Sequence, residues 1–360
     1  MTSKDRMMLA LGRQKPDRLP VTIHQWQDYH LTHYMNGLSD IGAFLDTGMD
    51  MAITRYPFVF PKDPLWKIVA GSLHGDNNLR DYSVVTPKGT LHWQTGTNEY
   101  TTWVTENMIK RDEDIFLYRD YSPVPSVDKS VFGKTWDEIG DRGILRTFLN
   151  GYQGGCWQDA CELYGTEKMI YATFDKPQWV HEFLTILLEK KLRFVYEYLK
   201  GSKVDLVETG GGASSSTVVS PDLHREFCLP YDRKLHDAIH AIGLPVVYHT
   251  CGGMLGILDS IAANACDASE TLSPPGIGGN IVDPQLVSDQ LGGKVALIGG
   301  MDQINVLEKG STQAIRSEVL RLFEGFGLEG GYILSACDHF FHADRDKLVV
   351  FAQSAKDCVY

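Results

Sequence analysis

Over the carboxyl half of the chain, short β-branched apolar runs alternate with longer stretches whose apolar residues recur every three or four positions. The short runs predict strands at 204–207, 245–249, 265–272, 294–298 and 332–336. The longer stretches predict amphipathic helices at 180–199, 221–242, 254–264 and 312–326. In the first of these Phe183, Leu184, Leu187, Leu188, Val195 and Leu199 recur at helical spacing. Repeated strand–helix units imply a parallel sheet. The amino half is less regular, with strands expected at 19–25, 49–54 and 143–149 and an inserted hairpin at 82–104 turning at Pro87-Lys88-Gly89. Eight strands fit a closed (β/α)8 TIM barrel, one domain over residues 1–360, better than an open sheet. Ligands of that fold gather at the carboxyl ends of the strands.

Polar residues stand where the apolar part of several strands stops. Val246-Val247-Tyr248-His249-Thr250-Cys251 ends in a histidine and a cysteine two positions apart, which a strand projects to one face. The run 332–336 delivers Cys337, followed by Asp338-His339. One imidazole and two thiolates are a zinc donor set whose fourth position is left for a substrate. A histidine at a strand end is more often a hydrogen-bonded structural residue than a ligand, and two ligands are too few for a tight zinc site, so the ligand set depends on Cys337. Glu270, at the end of 265–272, is the best fourth donor, displaced when substrate binds. Cys266 shares its face but lies about 13 Å lower at roughly 3.3 Å per residue, too far for the same ion.

Glu208 ends 204–207 and precedes Thr209-Gly210-Gly211-Gly212. It reads either as a catalytic carboxylate that acts on substrate or steadies an imidazole, or as a solvated acid in a tight turn. The glycines match neither a dinucleotide fingerprint nor a phosphate loop. Three further residues are candidates to touch substrate. Asn150, in Asn150-Gly151-Tyr152, can present an amide, Asp302 can serve as a pocket acid or a helix cap, and His24 opens an aromatic group with Trp26, Tyr29, His30 and His33.

Composition narrows the class. With 34 basic and 46 acidic residues the formal charge is -12, which argues against nonspecific binding to nucleic acid or to an anionic membrane. No leader pattern is read at the amino terminus and no apolar run reaches spanning length, so a cytoplasmic location is expected. Seven cysteines, an odd number, read as reduced thiols, with Cys156, Cys161, Cys228, Cys266 and Cys358 as packing residues.

Arg6-Met7-Met8-Leu9-Ala10-Leu11-Gly12 with Pro16-Asp17-Arg18-Leu19-Pro20-Val21, Ser220-Pro221 through Glu226-Phe227-Cys228-Leu229-Pro230-Tyr231, and Gly330-Gly331-Tyr332-Ile333-Leu334 together resemble the uroporphyrinogen decarboxylase superfamily over nearly the whole chain. The decarboxylases carry an arginine-bearing segment after the first strand, where this chain has His24-Gln25-Trp26-Gln27-Asp28. A second branch contains zinc-dependent methyltransferases that work with corrinoid proteins, and its His-x-Cys with a distant Cys is matched by His249, Cys251 and Cys337. The segment Ser335-Ala336-Cys337-Asp338-His339 departs from that branch's pattern. The resemblance implies Zn2+, a methyl-corrinoid supplied by a transient corrinoid-binding partner, and a small methyl donor or acceptor, either a thiol such as coenzyme M or a methoxylated aromatic in an O-demethylase system. A homodimer is compatible with it. The competing expectations are a cofactor-free decarboxylase and a noncatalytic binding barrel.

Overall fold

The computed structural model describes residues 1–76, 78–151 and 153–360, so Tyr152 of the Asn150 turn lies outside the described residues. Eight parallel strands form the central sheet: Val21–Thr22, Met51–Thr54, Gly143–Phe148, Leu206–Gly210, Val246–His249, Ala268–Thr271, Ala296–Met301 and Tyr332–Ala336. From the second strand to the eighth each pairs with its successor, and the eighth returns to the first through Val21↔Leu334 and Thr22↔Ser335. The first and second strands meet where Asp50 N–H donates to the Val21 carbonyl at 2.7 Å. The Asp50 carboxylate accepts in turn from Val21 N–H at 3.0 Å and from Arg6 and Arg18. This is the expected (β/α)8 barrel, and each predicted strand overlaps an observed one.

Alternation along the strands divides the interior into layers. Ala52, Ile144, Leu206, Val247, Ala268, Ala296, Ile298 and Ile333 form an apolar plug inside the barrel. Met7, Ala10 and Leu11 of the helix Ser3–Leu11 pack against the same plug. The outward residues, such as Val246, Tyr248, Leu297, Tyr332 and Leu334, join the larger core beneath the surrounding helices.

Between the second and third barrel strands lies a four-stranded antiparallel sheet, Lys67–Ala70, Arg80–Thr86, Gly89–Thr97 and Thr102–Glu106. Its central pair turns at Pro87-Lys88 as the sequence predicts, and one strand is added on each side of that hairpin. The facing pair Val84 and Leu91 is buried and docks the sheet on the main core. The predicted helix 221–242 is also present, starting where Ser220 Oγ accepts from Leu223 N–H. It widens by one residue per turn over His224–Cys228 before resuming at Leu229–Ala241. Pro230, which has no N–H and crowds the preceding turn, accounts for the widening. Among the described residues no helix is long and apolar enough to cross a membrane.

Candidate metal centre

Two positions beyond Ile144, Leu206, Val247 and Ala268 the same inward faces carry Arg146, Glu208, His249 and Glu270. All four are buried, at 2%, 1%, 0% and 2% exposure, so each polar atom needs a partner inside the barrel. Arg146 Nη2 donates to Glu208 Oε2 at 2.8 Å and to Glu270 Oε1 and Oε2 at 2.8 and 3.0 Å. His249 Nδ1 faces Glu270 Oε1 at 3.0 Å, and His24 Nε2 faces Glu208 Oε2 at 3.1 Å. Each imidazole thus leans one ring nitrogen on a carboxylate below it.

The electrostatics follow from this packing. Burial by itself raises the Glu270 carboxyl, but the Arg146 charge and the His249 hydrogen bond outweigh it and hold the group well below the usual carboxylate range. Burial also opposes the charge on Arg146, and the two glutamates more than restore it. At His249 burial disfavours the imidazolium, while the Cys251 sulfur, Glu270 and Glu208 together favour it.

Above this layer the chain leaves the strands and a second group of donors begins. Donor atoms of His249, Cys251 and Asp338 lie within 4.8 Å of one another, and so do those of His24, Asp338 and His339. Among the described residues no hydrogen bond reaches the remaining ring nitrogens, His249 Nε2, which lies beside the Cys251 sulfur, and His24 Nδ1, both buried, nor His339 Nε2. An unpaired buried acceptor costs about 1–3 kcal/mol, a cost that a bound ligand or ion removes. Burial, reinforced by His24, pushes His339 down to about 4, so its ring is neutral and able to coordinate. Imidazole nitrogen, thiol sulfur and carboxylate oxygen converging on one point are donors that suit zinc.

The structure brings together His24, Glu208, His249, Cys251 and Glu270 of the residues singled out from sequence. Glu270 and Glu208 sit beneath the imidazoles as hydrogen-bond acceptors. Cys337 belongs to none of these donor groups. Its buried sulfur points to the Leu272 carbonyl at 3.8 Å, and burial pushes the thiol up. Asp338, the next residue, stands beside Cys251 in its place. The strand ladder ends at Ala336, so alternation no longer decides where residues 337 and 338 point. Asp302 spends its carboxylate on the turn that follows it, Oδ1 accepting from Ile304 and Asn305 N–H and Oδ2 from the Asn305 amide. Asn150 lines a separate cavity of about 930 Å³ with Phe58, Trp66, Trp93 and Met108, and its buried Oδ1 has no hydrogen-bond partner among the described residues. Arg146 and Asp338 were not recognised as site residues in the sequence. A signal for Arg146 existed, since it stands two positions after an inward Ile144. For Asp338 the signal was its place directly after Cys337 at the end of the eighth strand.

The family model described as uroporphyrinogen decarboxylase (URO-D) matches residues 130–358, a span that holds every one of these donors except His24. The chain belongs to the uroporphyrinogen decarboxylase family. Uroporphyrinogen decarboxylases of Alcanivorax borkumensis and Pseudomonas fluorescens are similar to it at 26% identity over 355 and 353 residues, 92% of this chain and 90% of each relative. Among solved structures, a methyltransferase from Methanosarcina mazei superposes with a TM-score of 0.71 across 99% of both chains at 15% identity, a likeness of fold. The protein is therefore an enzyme of the URO-D family, carrying its candidate metal donors at the carboxyl end of the barrel.

Proposed function

We propose that this chain is a zinc-dependent methyltransferase that moves a methyl group between a corrinoid carried by a transient partner protein and a small substrate, a thiol such as coenzyme M or a methoxylated aromatic. The observation that carries this reading is the pair of half-used imidazoles. His249 and His24 each engage a buried glutamate through one nitrogen and leave the other unpartnered, beside Cys251 and Asp338. Bound zinc would supply a Lewis acid that deprotonates a coordinated thiol near neutral pH or polarises an ether oxygen.

The chain's own residues have defined tasks in this reading. Glu270 accepts the Nδ1 proton of His249, which turns the Nε2 lone pair toward the mouth. Glu208 does the same for His24 through Oε2, and its buried Oε1, 3.5 Å from His249 Nδ1, makes no hydrogen bond among the described residues. That oxygen can take the proton a thiol releases, or return one to a demethylated phenol. Cys251, His249 and Asp338 would hold the ion.

A cofactor-free decarboxylase is the second reading, favoured by the names of the relatives at 26% identity. Charge weighs against it. Glu208, Glu270 and Asp338 set three carboxylates against the single guanidinium of Arg146, and that guanidinium is already bound to two of them. Such a mouth repels a polycarboxylate porphyrinogen. The turn after the first strand carries His24-Gln25-Trp26 and no arginine to compensate.

Metal analysis and a cobalt assay test the proposal. Purified protein should carry about one zinc per chain, lost in H249A and C251S. With methylcobalamin and a panel of thiols or methoxyarenes, the zinc form should change the cobalt spectrum. Full turnover by metal-free protein, or release of carbon dioxide from a porphyrinogen, would sink it.

A further inference from the structure

The barrel offers two donor sets, one above the other, which share His249. The lower set comprises His24, Glu208, His249 and Glu270, whose donor atoms lie within 4.8 Å of one another and whose side chains are all buried. By composition alone it is as good a divalent-metal site as the upper set. It already holds a positive group, however. Arg146 Nη2 reaches three oxygens of the two glutamates at 2.8, 2.8 and 3.0 Å, from a side chain that is 2% exposed. A guanidinium does not lose its proton, so the group is a permanent cation.

We propose that Arg146 is a built-in cation that fills the lower donor set and confines a divalent ion to the upper one, His249, Cys251 and Asp338. Two consequences of the geometry support this. One guanidinium set against two carboxylates places a fixed cation at the centre of the lower set, at a formal charge of -1 with the imidazoles counted neutral. A divalent ion entering beside the guanidinium would meet repulsion at close range in a site shielded from water. Arg146 also fixes the direction of each carboxylate, Glu270 toward His249 Nδ1 and Glu208 toward His24 Nε2. It acts through the glutamates and imidazoles and is a positioning residue. For the upper ion the inference rests on the methyltransferase reading; for the lower set it rests on the Arg146 contacts alone.

The test is titration of metal-free protein with Co2+, whose spectrum reports its ligands. The wild type should take up one equivalent and show a thiolate-to-cobalt charge-transfer band from Cys251. R146M should take up a second equivalent that adds no charge-transfer intensity, because its donors are nitrogen and oxygen. R146K, which keeps a positive charge, should remain at one. Adding E208Q and E270Q to R146M should abolish the second equivalent. Folded R146M that binds one equivalent with an unchanged spectrum overturns the proposal. If R146M does not fold, R146M/E208Q restores the lower set to the wild-type charge of -1 while keeping three donors, and its failure to take a second ion is equally decisive. A wild type that binds no Co2+ while R146M binds one ion would refute the methyltransferase reading and leave this inference standing. One ion in both proteins does the reverse.

Discussion

Cys337 and Asp338 are neighbours in the chain and part company in space. The thiol is turned toward the Leu272 carbonyl, and the carboxylate joins Cys251 and His249. C337S should therefore leave zinc affinity within about twofold of the wild type, while D338N should lower it at least about tenfold in a competition titration with a chromophoric chelator. Glu270 touches no substrate in this scheme but orients His249, so E270Q should weaken zinc about 10–100-fold without disturbing the fold, read by the same titration beside circular dichroism. Asp232 is a residue-scale case with no part in the site. Burial pushes its carboxyl up to about 7, against the opposing influence of Tyr248 and Lys191, and its Oδ2 has no hydrogen-bond partner. In the unfolded chain an aspartate titrates at about 4, so the folded state holds this proton more tightly. The resulting stability is complete below about pH 4 and is lost as pH rises through about 7. D232N stays neutral throughout, and its stability relative to the wild type should rise by about 2–3 kcal/mol between pH 5 and pH 8 in urea unfolding. An unchanged difference across that range would mean that Asp232 ionises freely in the folded protein.

At the scale of the element, the strand does most to build the site. One two-residue step along four strands converts an apolar plug into the polar layer of Arg146, Glu208, His249 and Glu270. Close strand approach at the carboxyl ends sets a second condition, met by glycine. Gly299 has φ +124°, and a Cβ there would fall 1.8 Å from the Thr271 carbonyl oxygen. G299A should cost at least about 3 kcal/mol, because backbone must move to admit the methyl group. Chemical denaturation measures this directly, and a loss below about 1 kcal/mol would mean that the sixth and seventh strands can separate there. The helices contribute packing and polar anchors such as His236 on Thr209 but no metal donor, so the one containing Pro230 tolerates a widened turn with no loss at the mouth.

At the scale of the molecule, the barrel gathers its candidate metal donors at one end and closes the other with Met7, Ala10 and Leu11 of the first helix. If the mouth holds zinc, metal removal should be felt by the whole fold, since an ion that binds only the folded chain stabilises it by mass action. At free zinc 100-fold above its Kd the gain is about 2.7 kcal/mol, a shift of a few degrees in thermal midpoint. Chelation should lower the midpoint of the wild type by that amount and leave H249A unmoved in calorimetry. Local periodicity was enough to place eight strands and to put Glu208, His249 and Glu270 at strand ends, because alternation and helical recurrence are properties of neighbouring residues. It also located the turn of the inserted hairpin, though not the two strands that flank it, whose residues are largely exposed and carry little pattern. Tertiary structure alone decided that Arg146 joins Glu208 and Glu270, 62 and 124 positions away, and that Asp338 faces Cys251 where Cys337 was expected. Those contacts depend on the register at which the barrel closes and on the path of the chain once a strand has ended. No period in the sequence encodes either.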